Sequence, residues 1–330
     1  MNSITLASLQ LLREKMKKHP NLCFVTPTLL GLEQQLQNEL PVKIKSLSIK
    51  LESMQCTGSF KARGVLSQFL ELSSEDCKNK RILVTMSAGN YGKAFAYISG
   101  VENMPAVVCM PESAPEDRRE TIKSFGAKVL LCSSSELMDT VNNHVKNHNS
   151  LFLHSFDDIQ LIKGHASAGL ELVEQLPKEP DIIVVCCGGG GFLAGVSLAV
   201  RLYGWTSTKI YGVEPDAAPT MYEAIKNGKI LETKVRDTIA AGLAPPFAGE
   251  ICFNIVKEHV NGILLVTDDE IIRSMALLYK IGLVAEPSGA ASFAALLSNK
   301  IPDCEHKDVV LILTGGNITS NALKSLLNPS

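Results

Sequence analysis

The sequence has few of the features that mark nucleic-acid-binding proteins. Only 5% of its 330 residues are aromatic and one is tryptophan, so it lacks the side chains on which bases stack. Its formal net charge is −2 and its basic residues are dispersed, which argues against a basic binding surface. These absences predict no nucleic-acid partner and favour a protein of soluble metabolism.

The chain also lacks a long apolar run that is free of glycine. Residues 182–200 carry no charge and nearly reach the length of a membrane span, but residues 188–191 in their middle are four glycines. A buried strand, a glycine loop and a buried helix explain this run better, so we expect no membrane partner. Residues 1–12 are typical of an amphipathic first helix, although a mitochondrial transit peptide remains an alternative.

The nine cysteines form no CxxC pair and show no metal-ligand spacing with histidine. An odd number of unpatterned cysteines indicates reduced thiols. We therefore expect a cytoplasmic protein without a disulfide framework.

Apolar strand-like runs alternate with helical segments along most of the chain, which predicts parallel sheets covered by helices. The expected strands are residues 81–85, 106–110, 128–132, 182–186, 209–213 and 309–313, and the expected helices are residues 90–98, 116–125, 166–175, 268–281 and 289–297. The strands fall into two groups. They predict a large domain of residues 1–74 and 158–330, a small domain of residues 75–157, and a ligand cleft between them.

Lys61 lies in residues 56–64, between a strand-like and a helical segment. A free lysine carries its neutral amine at pH 7 only at a cost of roughly 4 to 5 kcal/mol, and a lysine already condensed with an aldehyde cofactor avoids that cost. Gly58 would let the backbone approach a flat ring, and Ser59 would cap the following helix. From this segment alone, an ordinary exposed lysine is an equally good interpretation.

A glycine loop at residues 187–195 follows the strand at residues 182–186. Consecutive N–H groups without Cβ atoms, at the start of a helix, form a site for one phosphate. The same loop also fits the G-x-G-x-x-A pattern of NAD sites through Gly189, Gly191 and Ala194, with Glu214 as the ribose-binding acid. The mid-chain position of the pattern weakens the NAD reading, which also leaves Lys61 without a role.

Three further turns carry polar groups that suit a cofactor site. Ser87 and the N–H groups of residues 87–90 can bind a carboxylate, and the Asn90 amide can reach a phenolic oxygen. Thr314, after the last strand, can bind a ring nitrogen without protonating it, and Glu286 carries a carboxylate that would face the same cleft. Each turn taken alone is equally compatible with a simple helix cap or strand end.

Together these segments resemble the fold type II family of pyridoxal 5′-phosphate enzymes, the serine/threonine dehydratase and serine racemase group. The resemblance extends from about Thr26 to Asn317 and keeps the family's order of segments. It implies an α/β fold of two open, twisted, mainly parallel sheets, as in the tryptophan synthase β subunit. It further implies pyridoxal 5′-phosphate in the cleft between the domains and a homodimer.

The resemblance also implies the roles of individual residues. The catalytic residue would be Lys61, which carries the cofactor and takes the substrate's α proton. The cofactor-binding residues would be Phe60, Lys61, Asn90, Gly188, Gly189, Gly190, Gly191, Gly242, Glu286 and Thr314. The substrate-binding residues would be Ser59, Ser87, Ala88, Gly89 and Asn90.

Departures from the family pattern distinguish its members. Serine racemases carry a second serine where this chain has Ala88, and that hydroxyl acts on the face opposite the lysine. We therefore favour β-elimination of L-serine or L-threonine, to pyruvate or 2-oxobutyrate plus ammonia, over a serine racemase. A non-catalytic cofactor-binding homologue is the least favoured alternative.

Two other departures concern a cation and regulation. The cation site of some relatives would use Glu214 and the Ala218 carbonyl, but the acid expected next to them is Thr220 here, which leaves a cation in doubt. The short segment after Asn317 predicts no regulatory domain and hence a catabolic enzyme. The choice among serine, threonine and 3-hydroxyaspartate as substrate stays open.

Overall fold

A computed structural model describes residues 4–327. Within that range the chain forms two parallel sheets with helices packed against them. The strands are β1 (Thr28–Leu29), β2 (Ser46–Leu51), β3 (Leu83–Met86), β4 (Ala106–Pro111), β5 (Lys128–Cys132), β6 (Leu151–Phe152), β7 (Ile182–Cys186), β8 (Lys209–Pro215), β9 (Gly262–Val266) and β10 (Asp308–Leu313). The helices are α1 (Leu6–Met16), α2 (Lys61–Leu70), α3 (Ser74–Lys78), α4 (Asn90–Val101), α5 (Glu116–Ser124), α6 (Leu137–His148), α7 (Ile159–Gln175), α8 (Gly191–Tyr203), α9 (Thr220–Asn227), α10 (Glu250–His259), α11 (Asp268–Lys280), α12 (Pro287–Leu297) and α13 (Ser320–Leu327).

The larger sheet has the strand order β1-β2-β10-β7-β8-β9. Only β1 runs antiparallel, against β2, and the other pairs are parallel. The smaller sheet has the order β5-β4-β3-β6 and is parallel throughout. Two mainly parallel sheets confirm the predicted fold class.

The central strands of the larger sheet are buried on both faces. In β7, Ile183 and Val185 join the core under α2, α7 and α8, whereas Ile182 and Val184 join the core under α11 and α12. Side chains alternate between faces along a strand, so a strand covered on both sides must be apolar at every position. This explains the uninterrupted apolar run in the sequence.

The smaller sheet lies wholly within the predicted small domain. Its strands begin at Leu83 and end at Phe152. The chain then returns through α7 to the larger sheet, to which β1 and β2 already belong. The division at residues 75 and 157 remains a prediction.

Most predicted elements are present, and several further elements were not predicted. The six expected strands correspond to β3, β4, β5, β7, β8 and β10, and the expected first helix is α1, although residues 1–3 lie outside the described range. The predictions omitted β1, β6 and β9 and gave no bounds for β2. Helix α7 starts at Ile159, earlier than predicted, because the Asp158 side chain accepts a hydrogen bond from Leu161 N and caps it.

Among residues 4–327, no helix has the length and apolar character needed to cross a membrane. The uncharged run at residues 182–200 forms β7, the glycine loop and most of α8.

Candidate active site

Lys61 is the first residue of α2, and the loop before it is tied to the loop after β10. Phe60 N donates to Thr314 O at 3.1 Å, and Gly316 N donates to Gly58 O at 2.9 Å. These backbone hydrogen bonds bring together two segments that are about 250 positions apart in the sequence. Lys61 and Thr314, both predicted site residues, therefore lie at neighbouring loops.

The expected cap of α2 is wrong. The residue before the helix is Phe60, and no side chain caps this end. Ser59 is fully buried, yet within residues 4–327 its Oγ finds no hydrogen-bond partner. A buried hydroxyl without a partner is rare in proteins, and this one stands two residues from Lys61, where a bound molecule can satisfy it.

The Lys61 amine lies in an apolar, partly buried setting. Its Nζ donates to Ser155 O at 2.9 Å and lies 5.1 Å from the ring centroid of Phe60 and 5.6 Å from that of Tyr91. Burial lowers the pKa of Lys61 to about 8, against a weak opposing effect of Cys252. A neutral amine, the form that can act as nucleophile or base, is thus far easier to reach than in free lysine.

The glycine loop connects β7 to the N-terminus of α8. Gly190 has φ +95°, and a Cβ at Gly189 would clash with the ring of Phe156. The loop therefore needs glycine for its backbone shape and for its close contact with Phe156. Its N–H groups at the helix N-terminus make a site suited to a phosphate.

The segment that contains Ser155 and Phe156 contacts both the glycine loop and Lys61. The carbonyl that accepts from Lys61 Nζ belongs to Ser155, and the next residue packs on Gly189. The segment after β6 thus contacts the predicted anchor of the cofactor on one side and the predicted phosphate site on the other.

Asn90 and Glu286 come together from different halves of the chain. Asn90 Nδ2 donates to Glu286 Oε1. Burial raises the pKa of Glu286 to about 7, and the hydrogen bond from Asn90 opposes that rise. Glu286 consequently changes its ionisation near neutral pH, beside a residue predicted to bind the cofactor.

The predicted substrate-binding turn lies just before α4. Gly89 is the residue that precedes this helix, and Gly89 N donates to Ser87 Oγ at 3.3 Å. Arg118 Nη1 donates to the Ala88 carbonyl at 3.4 Å. The free N–H groups at the start of α4 are a ready site for a carboxylate.

Ser288, which the sequence analysis did not single out, joins two predicted site residues. Gly242 N donates to Ser288 Oγ at 3.0 Å, and Thr314 Oγ1 is 3.5 Å from Ser288 O. Gly242 in turn lies against the glycine loop, since a Cβ at Gly188 would be 3.1 Å from Gly242 O. Thr314 is 3% exposed, and the contact of its hydroxyl with Ser288 O is long, so the hydroxyl can donate to a better-placed acceptor.

A cavity of about 750 Å³ opens at these loops. Of the predicted site residues, its lining contains Gly89, Asn90, Gly242 and Glu286, together with Ser288. Lys61 and the glycine loop do not line it. Thr314 does not line it either, but it contacts Ser288, and the glycine loop lies against Gly242. The unpartnered Ser59 hydroxyl, the glycine nest and the low pKa of Lys61 all fit pyridoxal 5′-phosphate, which has one phosphate and one aldehyde.

The carboxylate of Glu214 caps the N-terminus of α9. It accepts hydrogen bonds from Thr220 Oγ1 at 3.1 Å, Met221 N at 2.8 Å and Tyr222 N at 2.9 Å. Burial raises its pKa to about 8, against the effect of these hydrogen bonds. In the described part of the chain no cluster of three or more His, Cys, Asp and Glu side chains is arranged to hold a metal, so a cation at Glu214 and Ala218 remains only a prediction.

Two histidines, His154 and His165, lie near Lys61. His165 is fully buried, with its ring centroid 4.9 Å from that of Phe60. Burial lowers the pKa of His165 well below its ordinary value, so its ring is neutral and packs as part of the core. His154 Nδ1 accepts from Asp157 N at 2.9 Å and shapes the segment that contacts Lys61.

Comparisons with known proteins agree with this description of the site. The family model described as pyridoxal-phosphate dependent enzyme matches residues 24–315. The L-threonine ammonia-lyase of Thermotoga maritima is 33% identical over 283 residues, which are 85% of this chain and 69% of that protein. The serine racemase of Dictyostelium discoideum is 34% identical over 290 residues, 86% of this chain and 88% of that protein. Its crystal structure superposes with a TM-score of 0.84, covering 96% of this chain and 99% of the other.

Proposed function

Because this chain belongs to the pyridoxal-phosphate dependent enzymes, we propose that it is an ammonia-lyase. It would convert L-serine or L-threonine into pyruvate or 2-oxobutyrate and ammonia. One observation carries the proposal: Lys61 Nζ, with a pKa of about 8, contacts the segment that packs on the glycine loop. Names of relatives support it, since L-threonine ammonia-lyases of Thermotoga maritima and Geobacter sulfurreducens are 33% and 35% identical to this chain.

When bound, pyridoxal 5′-phosphate supplies an aldehyde for Lys61 and a ring that accepts the electron pair left when the substrate loses its α proton. The glycine loop and the N-terminus of α8 would hold its phosphate, and Asn90 and Thr314 would bind the polar atoms of its ring. Thr314 is neutral and donates a hydroxyl hydrogen bond at most, so it leaves the ring nitrogen unprotonated. By leaving that nitrogen unprotonated, Thr314 would favour prompt loss of the substrate's β-hydroxyl.

Lys61 Nζ would move the proton at the substrate's α carbon. Its low pKa keeps a substantial fraction of the amine neutral near pH 8, which is the condition for a base to work at ordinary pH. The N–H groups before α4 and the Ser87 hydroxyl would hold the substrate carboxylate. With its carboxylate bound in this way, the substrate would have its α carbon on the side of the cleft that contains Lys61.

By the family resemblance, Ala88 would lie on the side of the cleft opposite Lys61, where serine racemases carry a hydroxyl. A racemase needs a second group there to return a proton, and a methyl group cannot do this. Ala88 therefore favours elimination. A serine racemase is the second candidate, and it is supported by the 34% identity to the serine racemase of Dictyostelium discoideum.

A product assay tests the proposal. The purified protein, loaded with pyridoxal phosphate, is incubated with L-serine, L-threonine and 3-hydroxyaspartate, followed by 2-oxo acid detection and chiral chromatography of the remaining amino acid. We expect a 2-oxo acid to form faster than any D-amino acid. Formation of D-serine ahead of pyruvate would favour the racemase, and absence of both products would contradict catalysis altogether.

We also propose that the protein is a cytoplasmic homodimer. Exposed apolar side chains near the start of the larger sheet support an interface with a second copy: Phe24 is 38% exposed, Leu30 53% and Met54 55%. Light scattering on the purified protein would test the subunit number, and fractionation of cells would test the location. A monomer at micromolar concentration would contradict the first part.

A further inference from the structure

A row of three hydrogen bonds links the partly buried Lys93, which itself lines the cavity, to Glu286 in the candidate active site. Lys93 Nζ donates to Asn317 Oδ1 at 2.6 Å. Asn317 Nδ2 donates to Asn90 Oδ1 at 2.8 Å, and Asn90 Nδ2 donates to Glu286 Oε1. Every donor in the row points the same way, from Lys93 towards Glu286.

The ends of this row determine the orientation of both amides. A lysine ammonium has donors only, so the atom of Asn317 that faces Lys93 must be the oxygen. The Asn317 nitrogen is then directed at Asn90 and also donates to Thr57 O at 2.9 Å. Because that nitrogen can only donate, the atom of Asn90 that meets it must be the oxygen. Asn90 is left presenting its nitrogen to Glu286 and the cleft.

Packing allows Asn317 little freedom to adopt another position. Gly58, in the loop before Lys61, lies against the Asn317 carboxamide so closely that any Cβ at position 58 would overlap Asn317 Oδ1. Lys93 itself is held on the first turn of α4, where its N–H donates to Gly89 O at 3.1 Å. Lys93 and Asn90 therefore project from one helix, and Asn317 bridges them from the loop after β10.

We propose that Lys93 is a positioning residue that, through Asn317, makes Asn90 present an amide N–H to the phenolic oxygen of bound pyridoxal phosphate. The proposal rests on the assignment of Asn90 to the cofactor in the proposed function. In this role Lys93 acts on the cofactor through Asn317 and Asn90, although it also lines the cavity. An amide nitrogen has two hydrogens, so Asn90 can serve Glu286 and the cofactor at the same time.

The orientation matters because the phenolic oxygen of the cofactor is ionisable. An N–H donor stabilises its anionic form, whereas an amide oxygen in the same place would repel it. Without Lys93, only the hydrogen bonds from Asn317 Nδ2 to Thr57 O and from Asn90 Nδ2 to Glu286 still oppose a turn of the two amides, so the reversed orientation becomes more populated. The bound cofactor should then be held more weakly and should carry a smaller fraction of the ionised, yellow form.

The experiment compares four variants with the wild type: Lys93→Met, Asn317→Ala, the double variant and Lys93→Arg. Each apoprotein is titrated with pyridoxal phosphate at pH 7, and the dissociation constant and the ratio of the two absorbance bands are recorded. Loss of a hydrogen bond made by a charged group should raise the dissociation constant about tenfold in Lys93→Met. Lys93→Arg, which keeps a donor-only cation, should stay within about threefold of the wild type.

Two controls make the result specific. Lys123→Met removes an exposed lysine on α5 whose partner, Glu120, is on the same helix, and it should change neither reading. Circular dichroism of each apoprotein shows whether it has folded. If Lys93→Met does not fold, Lys93→Gln takes its place, since its amide oxygen admits the wrong orientation of Asn317.

The double variant separates positioning from a direct charge effect on Glu286. If Lys93 acts through Asn317, the double variant should bind the cofactor no more weakly than Asn317→Ala alone. Additive losses would overturn the proposal, as would a Lys93→Met protein with the wild-type dissociation constant and band ratio. A wild type that binds the cofactor and shows these variant effects, but forms no 2-oxo acid, would instead contradict the proposed function alone.

Discussion

Gly190→Ala tests whether the glycine loop has the role that its geometry suggests. Gly190 has φ +95°, and a Cβ there would lie 2.5 Å from Met221 Cε and 2.9 Å from Cys252 Cβ. A side chain at positive φ costs about 1–2 kcal/mol, and forcing a methyl group into a packed site costs about 1–3 kcal/mol. We therefore expect Gly190→Ala to reduce the free energy of unfolding by about 2–5 kcal/mol.

The other end of the same helix provides the control. Gly204 follows α8 with φ +105°, and nothing lies within 4 Å of a Cβ built on it. Gly204→Ala thus carries the backbone strain without the clash and should lose only about 1–2 kcal/mol. Urea unfolding of the two apoproteins measures both losses, and their difference isolates the packing in the loop.

Cofactor titration separates the two variants more sharply. Moving the loop disturbs the N–H groups at the start of α8, so Gly190→Ala should raise the dissociation constant of pyridoxal phosphate at least about tenfold. Gly204→Ala should bind it as the wild type does. If Gly190→Ala binds the cofactor normally while folded, the reasoning that places the phosphate at this loop is refuted.

Three further predictions test separate parts of the account. Lys61→Met should stabilise the apoprotein at pH 7. The pKa of Lys61 is lowered from 10.5 to about 8, so keeping its ammonium charged in the folded protein costs up to about 3 kcal/mol, less the part that solvent screens. Between these two pKa values the unfolded state of the wild type binds more protons than the folded state. The free energy of unfolding of the wild type should therefore rise from pH 8 to 10.5 and then level off. A flat pH profile in urea unfolding would contradict the shift of the Lys61 pKa. Ala88→Ser should raise the ratio of D-serine to pyruvate about 10²-fold, because it supplies a proton donor on the second face, and chiral chromatography that finds no change would count against Ala88 as the discriminating residue. Arg63→Met should cost about 3–5 kcal/mol, because it leaves the buried carboxylate of Glu52 without its cation, while Glu171 keeps Lys50. Arg13→Met, whose partner Glu174 is 58% exposed, should cost about 1 kcal/mol or less. Equal losses of unfolding free energy would show that burial does not set the cost.

The sequence predicts the central strands well because their signal is local. β7 and β10 are apolar at successive positions, as strands covered on both faces must be. β2 was expected only as a strand-like segment without bounds before Lys61, because Ser48 and Lys50 interrupt its apolar run. Lys50 is fully buried and pairs with Glu171 at 2.7 Å, a partner 121 positions away that no local pattern reveals.

The candidate site shows the same division between local and distant information. The glycine loop was recognisable because a phosphate nest needs several glycines in one segment. The expected Ser59 cap was wrong because the Phe60 backbone is held by Thr314 O, a contact between distant loops. The carbonyl of Ser155 that receives Lys61 Nζ had no sequence signal, since every residue has a carbonyl.

The Lys93 row lies between these cases. Asn90 and Asn317 were both visible in turns after strands, and Lys93 stands three positions after Asn90. Their connection depends on the packing of Gly58 against Asn317, which appears only in the fold. Polar residues at the ends of neighbouring parallel strands therefore predict the location of a site well, but they do not predict which of these residues contact each other.

Borohydride reduction followed by peptide mass mapping tests the central claim most directly. Reduction makes the bond between a lysine and the cofactor aldehyde permanent, so the modified peptide identifies the lysine. The account predicts that the yellow absorbance disappears and that the added mass is found on the peptide containing Lys61. A folded, cofactor-treated protein that carries the added mass on another lysine, or on none, would contradict it.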